Sequence, residues 1–99
     1  MNGNIAKILV ISKNQEILAT IIRLIGKKPN WHADGTADVQ TALLKAESGD
    51  YDLLLLGSGL TEHEEQQLFL RCNQSTRYVK HYGGGSGLLY TEIELALSN

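Results

Sequence analysis

Gly83-Gly84-Gly85-Ser86-Gly87 is the stretch of this chain whose residue types come closest to a ligand-binding loop. Glycines let backbone amides approach an anion, and a helix start behind them adds the positive end of its dipole. Gly84, Gly85 and Ser86, with Lys13 as the cation, are therefore the candidates for a small-anion or nucleotide site. The segment lacks the Gly-x-Gly-x-x-Gly fingerprint and the Lys-Ser/Thr ending of a P-loop, so a hinge or flexible loop is the plainer reading. His32, His63 and His81 fall on three different elements without paired ligand spacing, which excludes a compact metal set read from spacing alone. His81 stands at the C-terminal end of a strand, where open α/β sheets bind ligands. Ser58 sits between Gly57 and Gly59, but Gly-x-Ser-x-Gly is not present, and a tight turn accounts for it.

The elements that position these residues alternate strand and helix, the pattern of a parallel sheet covered by helices. Ile8-Leu9-Val10-Ile11, in a strand over Lys7 to Ile11, and Leu53-Leu54-Leu55-Leu56, in a strand over Tyr51 to Leu56, are unbroken apolar runs and belong at the centre. Asn30 to Gly35 and Arg77 to Tyr82 are more polar strands and belong towards the edges. Helices are predicted from Asn14, an N-cap, to Ile25, from Ala37 to Glu47, from Thr61 through Cys72, and from Leu88 to Leu97. Thr61 and Glu64 have the spacing of a capping box. Gly26 and Pro29 end the first helix.

The chain has 99 residues, 9 Lys+Arg against 11 Asp+Glu, and 42% hydrophobic content, which is one small, mildly acidic domain with a thin core. With no basic cluster beyond Lys27-Lys28, it has no electrostatic footprint for nucleic acid. The longest apolar run near the start has four residues, too short for a signal core or a membrane span. The single Cys72 closes no internal disulfide and suits a reducing, cytoplasmic setting.

Lys7-Ile8-Leu9-Val10-Ile11 followed by a helix near Asn14, Gly35 to Leu43, and Tyr51-Asp52-Leu53-Leu54-Leu55-Leu56 ending at a turn together resemble the receiver domain of bacterial two-component response regulators. The resemblance covers the chain to about Ser75. It implies a three-layer α/β/α flavodoxin-like fold of five βα units in strand order 2-1-3-4-5, of which this chain supplies about four. In that family two acidic residues after the first strand hold Mg²⁺, and an aspartate after the third accepts phosphate. Here those positions are Ser12, Lys13 and Gly57. A hydroxyl and a cation do not build a magnesium cage, and glycine has no nucleophile. The family's Ser/Thr position falls around His81-Tyr82-Gly83, and its Lys-Pro pair has no counterpart, since Pro29 is the only proline.

The resemblance thus implies a shortened pseudo-receiver, without cofactor or enzymatic activity, that works by protein contact. A lost unit leaves sheet edge or helix-covering surface bare, and a second copy would cover it. Tyr82, Leu88, Leu89, Ile93 and Leu97 are the interface candidates, with exchange of the last helix between two copies as one route. Either the whole last unit is missing, or a fourth helix and fifth strand are, with Leu88 to Leu97 acting as the family's final helix.

Overall fold

The two apolar runs become the two inner strands of a single parallel sheet. The computed structural model describes residues 5–72, 76–81 and 85–98, and its elements are β1 (Ala6–Ile11), α1 (Gln15–Ile25), β2 (Trp31–Thr36), α2 (Val39–Glu47), β3 (Leu53–Leu56), α3 (Glu62–Arg71), β4 (Arg77–Lys80) and α4 (Ser86–Ser98). The strand order is β2-β1-β3-β4, with every pairing parallel. Ile8 lies beside Leu53 and Ile11 beside Leu56. All eight side chains of the two runs are buried, because both faces of the inner strands are covered.

Alternation along each strand divides the core in two. Leu9, Ile11, Leu54 and Leu56 point to one face and pack with Ala42, Leu43 and Ala46 of α2 and Leu68 of α3. Ile8, Val10, Leu53 and Leu55 point to the other, against Ile21 and Ile25 of α1 and Leu89 and Ile93 of α4. Local chemistry starts the first three helices. Asn14 accepts from the Ile17 amide and Asp38 from the Thr41 amide, each at 3.0 Å. Thr61 and Glu64 form the reciprocal capping box, with bonds of 3.1 and 2.9 Å.

Where α4 lies answers a question of architecture. A right-handed crossover from β4 to a further strand beyond it would carry its helix on the α2/α3 face. Instead α4 packs on the α1 face, and among the described residues β4 stands at the edge of the sheet. The Tyr90 hydroxyl donates to the Leu24 carbonyl at 2.7 Å, and the Tyr90 ring meets Trp31 at 5.9 Å and the Lys28 ammonium at 4.4 Å. These contacts fasten α4 to α1 within one chain.

Two expectations change here. The last helix starts at Ser86, so Ser86 and Gly87 are its first turn and not part of a hinge. Leu89 and Ile93, expected at an interface, are instead buried core, since they are the α4 residues that meet Ile8, Val10, Leu53 and Leu55. Leu97 is half-buried against the same cluster, and Leu88 is exposed. Tyr82 and Gly84 lie outside the described residues.

Candidate functional site

The C-terminal ends of β1, β3 and β4 lie along one edge of the sheet, the edge at which open parallel sheets place their ligands. Ser12 and Lys13 follow β1, Gly57, Ser58 and Gly59 follow β3, and His81 follows β4. The pairing of Ile11 with Leu56 brings Ser12 and Gly57 side by side. Backbone bonds then tie the two strand ends together: Gly57 N to Ile11 O at 2.7 Å, and Lys13 N to Ser58 O at 3.1 Å. Ser12 is fully buried; its hydroxyl donates to the Ser58 carbonyl and accepts from the Asn14 amide, both at 3.3 Å.

This closure leaves no room for a side chain at position 57. A Cβ there would stand 2.9 Å from Ser12 Cβ, 3.2 Å from its Oγ and 3.3 Å from the Ile11 carbonyl. Gly59 completes the turn with φ +91°, a left-handed conformation that glycine adopts freely, and its own added Cβ would meet Lys13 Cβ at 2.9 Å. Lys13 itself reaches over to Glu64, Nζ to Oε2 at 2.8 Å. The other Glu64 oxygen accepts from the Thr61 amide. The Lys13 ammonium, first among its causes, holds the Glu64 carboxyl below its usual value. Both oxygens of the Glu64 carboxylate are thus engaged.

Magnesium does not fit these residues. The positions that would supply hard anionic oxygens carry a buried hydroxyl with both its partners in the protein and a lysine held by a glutamate. Among the described residues no group of three or more His, Cys, Asp and Glu side chains is gathered as a metal set.

The other candidates are placed as follows. Lys13 stands two strands from the end of β4, about 10 Å by sheet spacing, and is paired with Glu64, while Gly85 and Ser86 begin α4. His81 is buried, and its Nδ1 meets a Glu92 oxygen of α4, a partner the strand pattern alone did not disclose. Glu92 lies one turn before Ala96, which packs against the core, and that spacing is the only sequence signal for it. His32 on β2 contacts Asp34 at 3.1 Å, and the Tyr51 hydroxyl donates to the other Asp34 oxygen at 2.8 Å. That bond holds Asp34 below its ordinary value, and burial, followed by the Asp34 carboxylate, pushes Tyr51 up to about 12. His63 is on α3 and Cys72 closes that helix half-buried, its thiol pushed up by burial.

This arrangement of strands and helices is the receiver-like fold. A fusion protein carrying a trimeric coiled-coil segment of yeast Spc42 superposes with a TM-score of 0.77 at 18% identity, over 99% of this chain and 80% of that one. A CheY-like response regulator receiver domain from Methylobacillus flagellatus gives 0.66 at 18% identity, over 87% of this chain and 80% of that one. An orphan response regulator of H. pylori gives 0.64 at 18% identity, over 97% and 99%. No protein-family model matches the chain, and no curated protein sequence matches it. Among the described residues no helix is long and apolar enough to cross a membrane.

Proposed function

We propose that this chain is a receiver-like signalling module that takes up no phosphate and acts by protein contact. The observation that carries the reading is the closed junction of Gly57 and Ser12, where a side chain at the phosphoacceptor position has no space. An aspartyl phosphate needs a carboxylate nucleophile and a divalent cation to neutralise the incoming oxygens. Gly57 offers no nucleophile, Ser12 and Lys13 offer no cation site, and Glu64 is bonded through both oxygens. Lys13 ties the end of β1 to the start of α3 through its ion pair with Glu64, in place of a cation site. The likeness to response regulators supports a place in signal transduction, and the lone Cys72 suits a cytoplasmic one. The partner is a second copy of the same chain, reached through surface on the folded subunit.

The test is incubation of the chain with Mg²⁺ and acetyl phosphate, and separately with a beryllofluoride mimic, read by intact mass and by amide NMR spectra. Unchanged mass and spectra are expected. A stoichiometric adduct, or shifts gathered at Ser12, Gly57 and His81, overturns the reading.

A further inference from the structure

We propose that two copies of this chain join along the outer edge of β4, which pairs with no strand among the described residues, antiparallel about a two-fold axis through Val79, into one continuous sheet. This deepens the reading of the chain as a contact module and rests on it by naming the surface.

Exposed apolar side chains flank the β4 edge on both faces of the sheet. On the α3 side are Phe69 (54% exposed) and Tyr78 (41%), their rings 5.0 Å apart. On the α4 side Glu92 reaches His81 at the end of β4, so the flank of α4 that carries Glu92 faces the edge. Leu88 and Leu95 stand four residues before and three after Glu92, hence on that same flank, and are 50% and 61% exposed. The opposite flank, with Tyr90, is the one bonded to α1. Together these four residues expose roughly 400 Å² per copy, about half of the roughly 800 Å² that each partner contributes to a standard interface.

The geometry of a paired sheet would bring both flanks together. Leu68 packs α3 on Leu54 and Leu56, and Phe69 and Glu65 reach Tyr78 and Lys80, so α3 rides over β3 and β4. Two copies joined at β4 would set their α3 helices two strand spacings apart, about 9.6 Å. Helices pack at about 8–10 Å. The same spacing applies to α4 on the other face, which packs with Val79, Leu53 and Leu55.

Register follows from hydrogen-bond phase and charge. The Arg77 and His81 amides donate to Asp52 and Leu56 of β3, so the alternate residues Tyr78 and Lys80 turn their backbone to the edge. An axis through Val79 pairs Tyr78 with the second copy's Lys80, a ring with a cation, and sets Val79 against itself. It also sets Arg77 opposite the second copy's His81, beside the Glu92 carboxylate. An axis at Lys80 would oppose two lysines, and one at Tyr78 would oppose Arg77 to Val79. The axis at Val79 opposes no two lysines and sets each Lys80, which also bridges Glu65, against a ring.

The test uses the whole chain in analytical ultracentrifugation across a concentration range. A dimer is expected, with its dissociation constant raised tenfold or more by Phe69→Lys and by Leu95→Lys and unchanged by Leu44→Lys, an exposed position on α2. Circular dichroism checks that each variant is folded. Val79→Cys in a Cys72→Ser background is expected to cross-link on mild oxidation, because a non-hydrogen-bonded antiparallel pair sets its Cα atoms at about 4.5 Å, within disulfide reach. A monomer at every concentration overturns the proposal. So does a dimer that ignores Phe69→Lys and Leu95→Lys and fails to cross-link, as a pair made by exchanging α4 would. A phosphoryl adduct would refute the contact reading while leaving these results as they are, so the two failures are distinguishable.

Discussion

Replacing Gly57 by Ala is the sharpest probe of the closed β1–β3 junction. The backbone at Gly57 is outside the left-handed region, so the substitution meets a steric obstacle and no conformational one. That obstacle is Ser12 Cβ at 2.9 Å, an atom fixed to the backbone that cannot rotate away. Overpacking of a well-filled site costs about 1–3 kcal/mol, and here the strand ends are also clamped by the 2.7 Å bond from Gly57 to Ile11, which favours the middle of that range. A loss of about 2 kcal/mol lowers the midpoint of thermal unfolding by about 8–16 °C in a domain of this size. Urea unfolding of four proteins measures it: the parent, Gly57→Ala, Ser12→Gly and the double variant. Ser12→Gly removes the obstructing Cβ, so Gly57→Ala should cost at least about 1 kcal/mol less in that background. Gly57→Ala without effect, or with the same cost in both backgrounds, would refute the steric account and reopen this edge to a side chain.

The remaining predictions concern the helices and the titrating groups. Ile93→Ala should destabilise by about 2–5 kcal/mol because Ile93 is fully buried between α4 and the sheet, whereas Leu88→Ala should stay within about 0.5 kcal/mol in the monomer; urea unfolding compares them. Tyr51, with its folded value near 12 against an ordinary 10, stabilises the protein fully below pH 10 and loses that contribution as pH rises towards 12, at most about 2.7 kcal/mol. Tyr51→Phe should flatten the fall of stability over that alkaline range. The Glu64 carboxyl, held low by Lys13, contributes stability above its ordinary 4.5 and loses it as pH falls through its folded value. In Lys13→Met the carboxyl resonance of Glu64 should titrate at higher pH than in the parent.

The elements that carry their own signal were readable from the residues. Ile8 to Ile11 and Leu53 to Leu56 could be inner strands only in a sheet covered on both faces, and Asn14 and the Thr61/Glu64 pair announce helix starts through bonds within one turn. The beginning of α4 was not readable, because Ser86 and Gly87 have weak helix propensity and are drawn into the helix by the docking of Leu89 and Ile93. That helix is apolar nearly all round, so periodicity does not separate Leu89 and Ile93, which face the sheet, from Leu88 and Leu95, which do not. The contacts of Glu92 with His81 on one flank and of Tyr90 with Leu24 on the other orient it.

The site shows the same division between residue type and placement. Ser12, Lys13 and Gly57 state that the acidic chemistry is missing, whereas the fate of the space depends on the pairing of Ile11 with Leu56 across 45 positions of chain. A vacated acidic pocket could have stayed open and bound something else. Here the Ser58 carbonyl bonds Ser12 and Lys13, Gly57 bonds Ile11, and Glu64 holds Lys13, so the residues at the degenerate positions are joined to other elements of the same fold. With this edge closed and α4 placed on the α1 face, the contact reading turns to the outer side of β4, which pairs with no strand among the described residues and is flanked by exposed apolar side chains of α3 and α4.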